Sequence, residues 1–400
     1  MPWRGRDAPD EAGPEPVTEL ASQIDWIRRL VAFDTSSGQS NLALIDAVQQ
    51  HLDGLGARCQ RVPSPDGSKA NLYAVIGPDA PGGIVLSGHS DVVPVTGQAW
   101  SSDPWTLREA DGKLYGRGTC DMKGFCATAI SLVPEFVAAK LARPLILAFS
   151  YDEEIGCLGA PAMIARMRET VPPPAAVIVG EPTMMRAVNG HKGSSQFRTT
   201  VSGINAHSSE TELGVSAVEI AARLVNSIAE TRAANRRSAR PDSPFSPPYS
   251  SLSANMIRGG TQQNIIAGEC SFSWEIRLLP GEDIASVLEP FDALCRAVEA
   301  EMRLVGPEAA IRTERLSAVP PFAPADEGAA LALVRDLIGS NSASVVSYAS
   351  EAGQFQEAGF SAVICGPGSI EHAHKADEFV EIDQIAQCAR FIRRLMPSLQ

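Results

Sequence analysis

The 400-residue chain predicts an α/β fold with a mainly parallel central sheet, interrupted by a smaller inserted α+β domain. Three observations carry this expectation. Short apolar runs without a polar face alternate with amphipathic helical stretches, the pattern of strands covered on both sides. Between residues 194 and 320 the pattern becomes strand-helix-strand-strand-helix-strand, and after Pro320-Pro321 the first pattern resumes. The length also exceeds what a single core usually organises. Two domains are therefore expected, residues 17–193 joined with 321–400, and residues 194–320 as a two-layer insertion.

Leu20, Ile24, Ile27, Leu30 and Val31 recur at helical spacing, which predicts a helix over 19–31. A second spans 42–55 and stops at Gly56. Residues 71–76, 84–86, 145–149 and 176–179 read as buried strands, and 125–139 as a helix. In the insertion, 195–202 alternates weakly, and 213–229 is helical with Ala217, Ile220, Leu224 and Ile228 on one face. A loop over 236–250, rich in Pro, Ser and Arg, precedes strands at 251–257 and 268–279, a helix at 283–302 and a strand at 311–317. The return carries a helix at 328–338, a strand at 362–365 and a helix at 383–395. Residues 1–16 are rich in Pro, Gly, Asp and Glu and read as a disordered tail, not a signal peptide.

Hydrophobic residues make up 44% and charged residues 20%, as in soluble globular proteins. Asp plus Glu total 47 against 34 Lys plus Arg, a formal charge of −13, which offers no general electrostatic basis for binding nucleic acid. No stretch approaches the roughly 20 apolar residues of a membrane span. Neither partner is expected. The eight cysteines contain no Cys-x-x-Cys pair, which argues against a zinc ribbon or disulfide scaffold and for a reducing cytoplasm.

Ionisable residues gather where ligands bind in open parallel sheets, beyond the carboxyl ends of the strands. His89 follows the 84–86 strand, Glu153 and Glu154 follow 145–149, and Glu181 follows 176–179 through Gly180. His372 and His374 lie beyond 362–365, and Asp121 precedes the 125–139 helix. A lone histidine at a strand end usually bonds a carbonyl, and a lone Asp before a helix usually caps it. Several carboxylates together repel and desolvate at a cost, so they call for cations. Imidazole and carboxylate donors without an obligatory thiolate fit zinc, or cobalt or manganese. Two histidines and four or five acids suffice for two ions sharing one carboxylate, the arrangement of two-metal hydrolysis.

These segments resemble the M20 metallopeptidase family of co-catalytic zinc amidohydrolases. Ser87-Gly88-His89-Ser90-Asp91-Val92-Val93-Pro94 and Gly116-Arg117-Gly118-Thr119-Cys120-Asp121-Met122-Lys123-Gly124 look like its first two signatures. Asp152-Glu153-Glu154-Ile155-Gly156, Gly180-Glu181-Pro182-Thr183 and Ala373-His374-Lys375-Ala376-Asp377-Glu378 match the other three. The resemblance implies a zinc-peptidase-like catalytic domain with a ferredoxin-like lid and dimerisation domain. It makes Asp121 the bridge between two zinc ions, with His89 and Glu181 on one and Glu154 and His374 on the other. His372 competes with His374, which is preferred for its Ala-His-x-x-Asp-Glu context. Asp91 would hydrogen-bond the His89 imidazole and fix its tautomer, and Glu153 would be the general base.

In the insertion, His207 of Gly203-Ile204-Asn205-Ala206-His207-Ser208-Ser209 would reach the partner subunit's active site in a homodimer and stabilise the oxyanion. Asn264 and Arg277 would bind the substrate carboxylate. The stretch Asp91 to Trp105, Thr119-Cys120, and Tyr151 to Gly159 resemble the family's acetylornithine deacetylases, with Thr96 and Trp105 departing from their usual Asp and Phe. The implied partner is a small N-acyl amino acid. Other N-acyl amino acids, succinyl-diaminopimelate among them, and dipeptidase or carboxypeptidase action stay open. A scaffold with a decayed site predicts a lost ligand or base, and none is lost. Glu351 is the acid named for a distal ammonium, and packing the role expected of Cys120 and Cys157.

Overall fold

The computed structural model describes residues 20–325 and 327–400, so the tail expected at 1–16 lies outside it. The chain begins with α1 (Ala21–Val31), α2 (Leu42–Gly54), β1 (Arg58–Pro63), β2 (Ala70–Ile76), β3 (Ile84–His89), β4 (Arg108–Ala110) and β5 (Lys113–Tyr115). It continues through α3 (Lys123–Ala138), β6 (Leu145–Ser150), α4 (Ala160–Thr170), β7 (Ala176–Pro182) and β8 (Val188–His191). Next come β9 (Gly193–Ser202), α5 (Ala217–Arg237), β10 (Ser251–Gly259), β11 (Glu269–Leu278), α6 (Ile284–Arg303) and β12 (Ala310–Val319). The return holds α7 (Ala329–Ile338), β13 (Ser344–Val346), α8 (Ala352–Glu357), β14 (Ala362–Gly366), β15 (Phe379–Glu381), α9 (Ile382–Arg393) and α10 (Met396–Leu399).

Eight strands form the main sheet in the order β1-β2-β6-β3-β7-β14-β8-β13. The neighbours β6, β3, β7 and β14 run parallel to one another, while β1 and β2 add an antiparallel edge. Every residue of β2, β3, β6 and β7 is buried, because helices cover both faces. Ile84, Leu86, Leu145 and Leu147 pack toward α1, α2, α3 and α9. Val85, Ile146 and Val177 alternate with them and pack toward α4 and α8. Each such buried aliphatic side chain contributes about 1.5–3 kcal/mol relative to exposure. Among the described residues no helix is long and apolar enough to cross a membrane.

β10-β11-β9-β12 form a separate antiparallel sheet with α5 and α6 on one face. Phe197, Phe272, Trp274 and Ile276 pack toward the helices, and Trp274 stacks on Phe197 at 4.4 Å between ring centroids. Strand alternation sends Ser194, Gln196, Glu275 and Arg277 to the opposite face.

The helix read from residue 213 begins at Ala217. Ser216 caps it, its Oγ accepting the Glu219 N–H at 3.3 Å, and Gly214 is extended. Leu213 is left in a separate short turn. The structure adds elements with weak signals: the half-exposed edge strand β1, the short strands β4, β5, β8, β13 and β15, and the helices α4, α8 and α10.

Candidate metal centre

The four adjacent parallel strands deliver their ionisable residues to one edge. His89 ends β3, Glu181 lies near the end of β7, Glu153 and Glu154 follow β6, and His374 sits in the loop after β14. Asp121 joins them from the segment before α3. Its Oδ1 lies 3.0 Å from His89 Nε2, and its Oδ2 3.2 Å from His374 Nε2. Glu181 Oε1 is 3.9 Å from His89 Nε2, and Glu154 Oε2 is 3.0 Å from His374 Nε2. Two donor groups result, His89–Asp121–Glu181 and Asp121–Glu154–His374, each with its donor atoms within 4.8 Å of one another. They share Asp121. His372 stays outside both, stacked on Phe379 at 4.1 Å between ring centroids.

Local sequence makes this convergence possible. A Cβ at Gly180 would lie 2.1 Å from the Phe125 ring, so only glycine lets β7 bring Glu181 past α3. Gly156 has φ +115° and would place a Cβ 2.3 Å from Ser317 Cβ, so the loop carrying Glu153 and Glu154 lies directly against β12. His374 itself adopts φ +62°, a left-handed conformation costly to most side chains, and the Gln98 amide donates to its carbonyl at 3.0 Å.

The donor set fits divalent cations on two grounds. It is composed of imidazole nitrogens and carboxylate oxygens, the ligands of zinc and its first-row neighbours. Glu154 Oε1 is also buried without a hydrogen-bond partner, an arrangement stabilised only when something else meets that oxygen. The electrostatics agree. Burial, then the neighbouring carboxylates, pushes Glu153 up to about 8 and Glu154 up to about 7, and raises Glu181 well above the usual carboxylate range. Burial works against the Asp121 charge too, but hydrogen bonds from His374 and His89 hold that carboxyl below its ordinary value. The hydrogen bonds that His374 donates to Asp121 and then to Glu154 lift it to about 11. A site that favours positive charge this strongly suits a cation.

A supporting layer fixes these groups. His89 Nδ1 bonds the main-chain oxygen of Asp91 at 2.9 Å, while the Asp91 carboxylate stands 3.7 Å away. The expectation that this carboxylate holds the imidazole is corrected: its oxygens accept the main-chain N–H groups of Glu153 and Glu154 at 3.1 and 3.2 Å. The loop N–H groups lie closer to the carboxylate than the ring nitrogen does and are the donors it accepts from. Glu378 Oε1 accepts the N–H of Cys120 and of Asp121 at 2.9 and 3.0 Å, and its Oε2 pairs with the fully buried Arg117. Arg117 donates in turn to Gln98, which also holds His374. Cys157, read as a packing residue, donates its thiol to Glu153 Oε1 at 3.1 Å; burial raises that thiol well above its ordinary range, so it remains a donor. Neither Gln98 nor Cys157 carried a pattern in the sequence that would mark this role.

A cleft of about 160 Å³ opens over the cluster. Asp121, Glu153, Glu154, Glu181 and His374 form its floor, and Ser194, Gln196 and Arg277 of the second sheet form the facing wall. Arg277 thus reaches the cleft, with its Nη2 3.0 Å from Glu275 Oε2. His207 and Asn264 do not line the cleft. They lie side by side on exposed loops, where Ser208 N donates to the Asn264 carbonyl at 3.0 Å and His207 Nδ1 meets Ser209 Oγ at 2.7 Å. Glu351 is corrected as a receptor for an ammonium group. It is buried beneath the sheet, where the hydroxyls of Ser87 and Ser150 satisfy it.

Comparison with known proteins agrees with this geometry. Residues 85–398 match the model of peptidase family M20/M25/M40. The acetylornithine deacetylase of Photorhabdus laumondii is 32% identical over 383 residues, covering 95% of this chain and 96% of that protein. The acetylornithine deacetylase of Proteus mirabilis is 34% identical over 367 residues, covering 91% and 92%. An M20 family metallo-carboxypeptidase from Sulfolobus solfataricus has the same fold, with a TM-score of 0.74 at 15% identity over 94% of this chain and 98% of that one. The chain belongs to peptidase family M20/M25/M40 and is a metal-dependent hydrolase acting on amide bonds.

Proposed function

We propose that the protein removes the acetyl group from N2-acetyl-L-ornithine, giving L-ornithine and acetate, as a cytoplasmic step of arginine biosynthesis. The observation that carries this reading is the pair of donor groups sharing Asp121 across a cleft from Arg277, in a chain similar over nine-tenths of its length to acetylornithine deacetylases. His89, Asp121 and Glu181 would hold one zinc ion, and Asp121, Glu154 and His374 a second, with cobalt or manganese as substitutes. When bound, such ions polarise the amide carbonyl and acidify a water.

Arg277 receives the substrate α-carboxylate, with its planar fork suited to two parallel hydrogen bonds. That contact aims the acetamide at the floor of the cleft. Glu153 takes a proton from the attacking water as the oxygen adds to the carbonyl carbon. It then passes the proton to the departing nitrogen as the C–N bond breaks, so one carboxylate serves both transfers. The Cys157 thiol and the Asp91-bound loop hold Glu153 for this task.

His207 and Asn264 act across a homodimer, reaching the cleft of the second subunit. His207 stabilises the developing oxyanion and Asn264 assists the substrate carboxylate. The strand edge at β10 supports such pairing, since its Met256 and Ile257 are 55% and 53% exposed.

The test is a hydrolysis panel with zinc- or cobalt-loaded protein on N2-acetylornithine, other N-acetyl amino acids, N-succinyl-diaminopimelate and dipeptides. Acetylornithine leading by at least tenfold in kcat/KM supports the assignment. A leading dipeptide or succinylated substrate retains the hydrolase and overturns the substrate.

A further inference from the structure

At the lid side of the cleft stands a charged pair, Arg277 in the wall and Glu275 beside it, of which the function so far uses only half. Arg277 lines the cleft, and Glu275, two residues earlier on β11, shares its face. The register places Glu275 directly opposite Gln196 and Arg277 opposite Ser194, and both Gln196 and Ser194 line the cleft. Glu275 therefore stands in the same row as cleft-lining side chains. Its Oε2 accepts from Arg277 at 3.0 Å, and its side chain stays 24% exposed, open to a second donor.

Among the described residues, the acids packed around the cluster are committed. Asp121, Glu154 and Glu181 belong to the donor groups, and Glu153 to proton transfer. Asp152 pairs with Lys69, Glu378 with Arg117, Asp91 with two loop N–H groups, and Glu351 with two serines beneath the sheet. Two dications would balance the floor carboxylates Asp121, Glu153, Glu154 and Glu181 charge for charge. On that face of the second sheet this leaves the cleft-lining cation Arg277 and, beside it at the margin of the cleft, the anion Glu275. That is the complement of a substrate bearing a carboxylate and an ammonium on one short chain.

We propose that Glu275 receives the distal ammonium of the substrate, so that Arg277 and Glu275 together select zwitterionic N-acyl diamino acids over neutral ones. This rests on the reading of the site as an N-acyl amino acid hydrolase and assigns its specificity. An ammonium left facing Arg277 alone would be repelled, and a methyl group at the same position would leave Glu275 without a second partner. Discrimination thus comes from both sides.

The experiment compares metal-loaded wild type with Glu275→Gln, which keeps the shape and an acceptor for Arg277 but removes the charge. The substrates are N2-acetyl-L-ornithine and its neutral isostere N-acetyl-L-norleucine, and the readout is the ratio of their kcat/KM values. The expected result is a wild-type ratio well above one that falls at least tenfold in the variant, through KM for the ammonium substrate. An unchanged ratio overturns the proposal, whether both substrates suffer or neither does, because Glu275 then only holds Arg277. If the Gln variant hydrolyses neither substrate, Glu275→Asp decides: a ratio still favouring ornithine supports the charge, and a ratio near one overturns it. A wild type without preference overturns the acetylornithine reading itself and the proposal with it.

Discussion

The Asp91 carboxylate accepts the main-chain N–H of Glu153 at 3.1 Å. Its other oxygen accepts from Glu154 at 3.2 Å, so one side chain from the end of β3 pins both acidic residues that follow β6. The main-chain oxygen of the same residue orients His89 at 2.9 Å. Side chain and backbone of Asp91 thus serve different parts of the centre.

That division predicts the effect of Asp91→Ala. The variant keeps the main-chain bond to His89 and loses the anchor of the 153–154 loop. Removing support of this kind typically costs about 10–100-fold in metal affinity or activity. We expect kcat to fall by that order, with the affinity of the weaker metal step reduced in calorimetric titrations of the apoprotein. Loss confined to KM would contradict this role.

Glu153 lies outside both donor groups. Glu153→Gln is accordingly expected to keep its metal content by mass spectrometry while kcat falls roughly 10²–10⁴-fold, the usual share of general acid-base catalysis. Turnover within a factor of a few of wild type would remove it as the base.

If His207 works in the second subunit's cleft, mixing should restore activity. His207→Ala protein and Glu153→Gln protein, each inactive alone, would form hybrid dimers with one complete site. Activity appearing after joint refolding is the predicted result. Its absence over a range of mixing ratios contradicts action across the interface.

His191 gives a pH dependence away from the metal residues. It is fully buried at the end of β8, and its Nδ1 bonds the Lys192 carbonyl at 2.8 Å. Its Nε2 accepts the N–H groups of Ser350 and Gly353, both at 3.3 Å, which requires the neutral ring. Burial pushes it down to about 4. Between that value and the ordinary 6.5 of histidine the unfolded chain binds a proton that the folded chain refuses. Stability is therefore lost as pH falls through this window, with a slope of up to about 1.4 kcal/mol per pH unit. The urea midpoint of wild type should drop more between pH 7 and pH 5 than that of His191→Gln. Equal drops would contradict it.

Much of this was legible in the sequence because burial on both faces leaves β2, β3, β6 and β7 as unbroken apolar runs. Ends of such runs are visible, so residues placed at them, His89, Glu154 and Glu181, could be named in advance. Asp121 and His374 stood in recognisable motifs, and the structure brings both to the same edge. The partners Gln98, Cys157 and Glu378 depend on contacts between distant loops, which periodicity does not encode. Glu351 misled for a related reason: nothing in its local sequence says that two strands present serines to it from below. Glu275 was readable only as an alternating strand residue until the register set it beside Gln196.

The proposed chemistry depends on Asp121 being shared by two cation sites. The most direct test counts ions on apoprotein titrated with zinc, using calorimetry and mass spectrometry, for wild type, Glu181→Ala and Asp121→Ala. Two ions per chain are expected in wild type, one in Glu181→Ala, and weakened binding of both in Asp121→Ala. A wild type that takes up a single ion, or an Asp121→Ala variant that binds two with wild-type affinity, would contradict it.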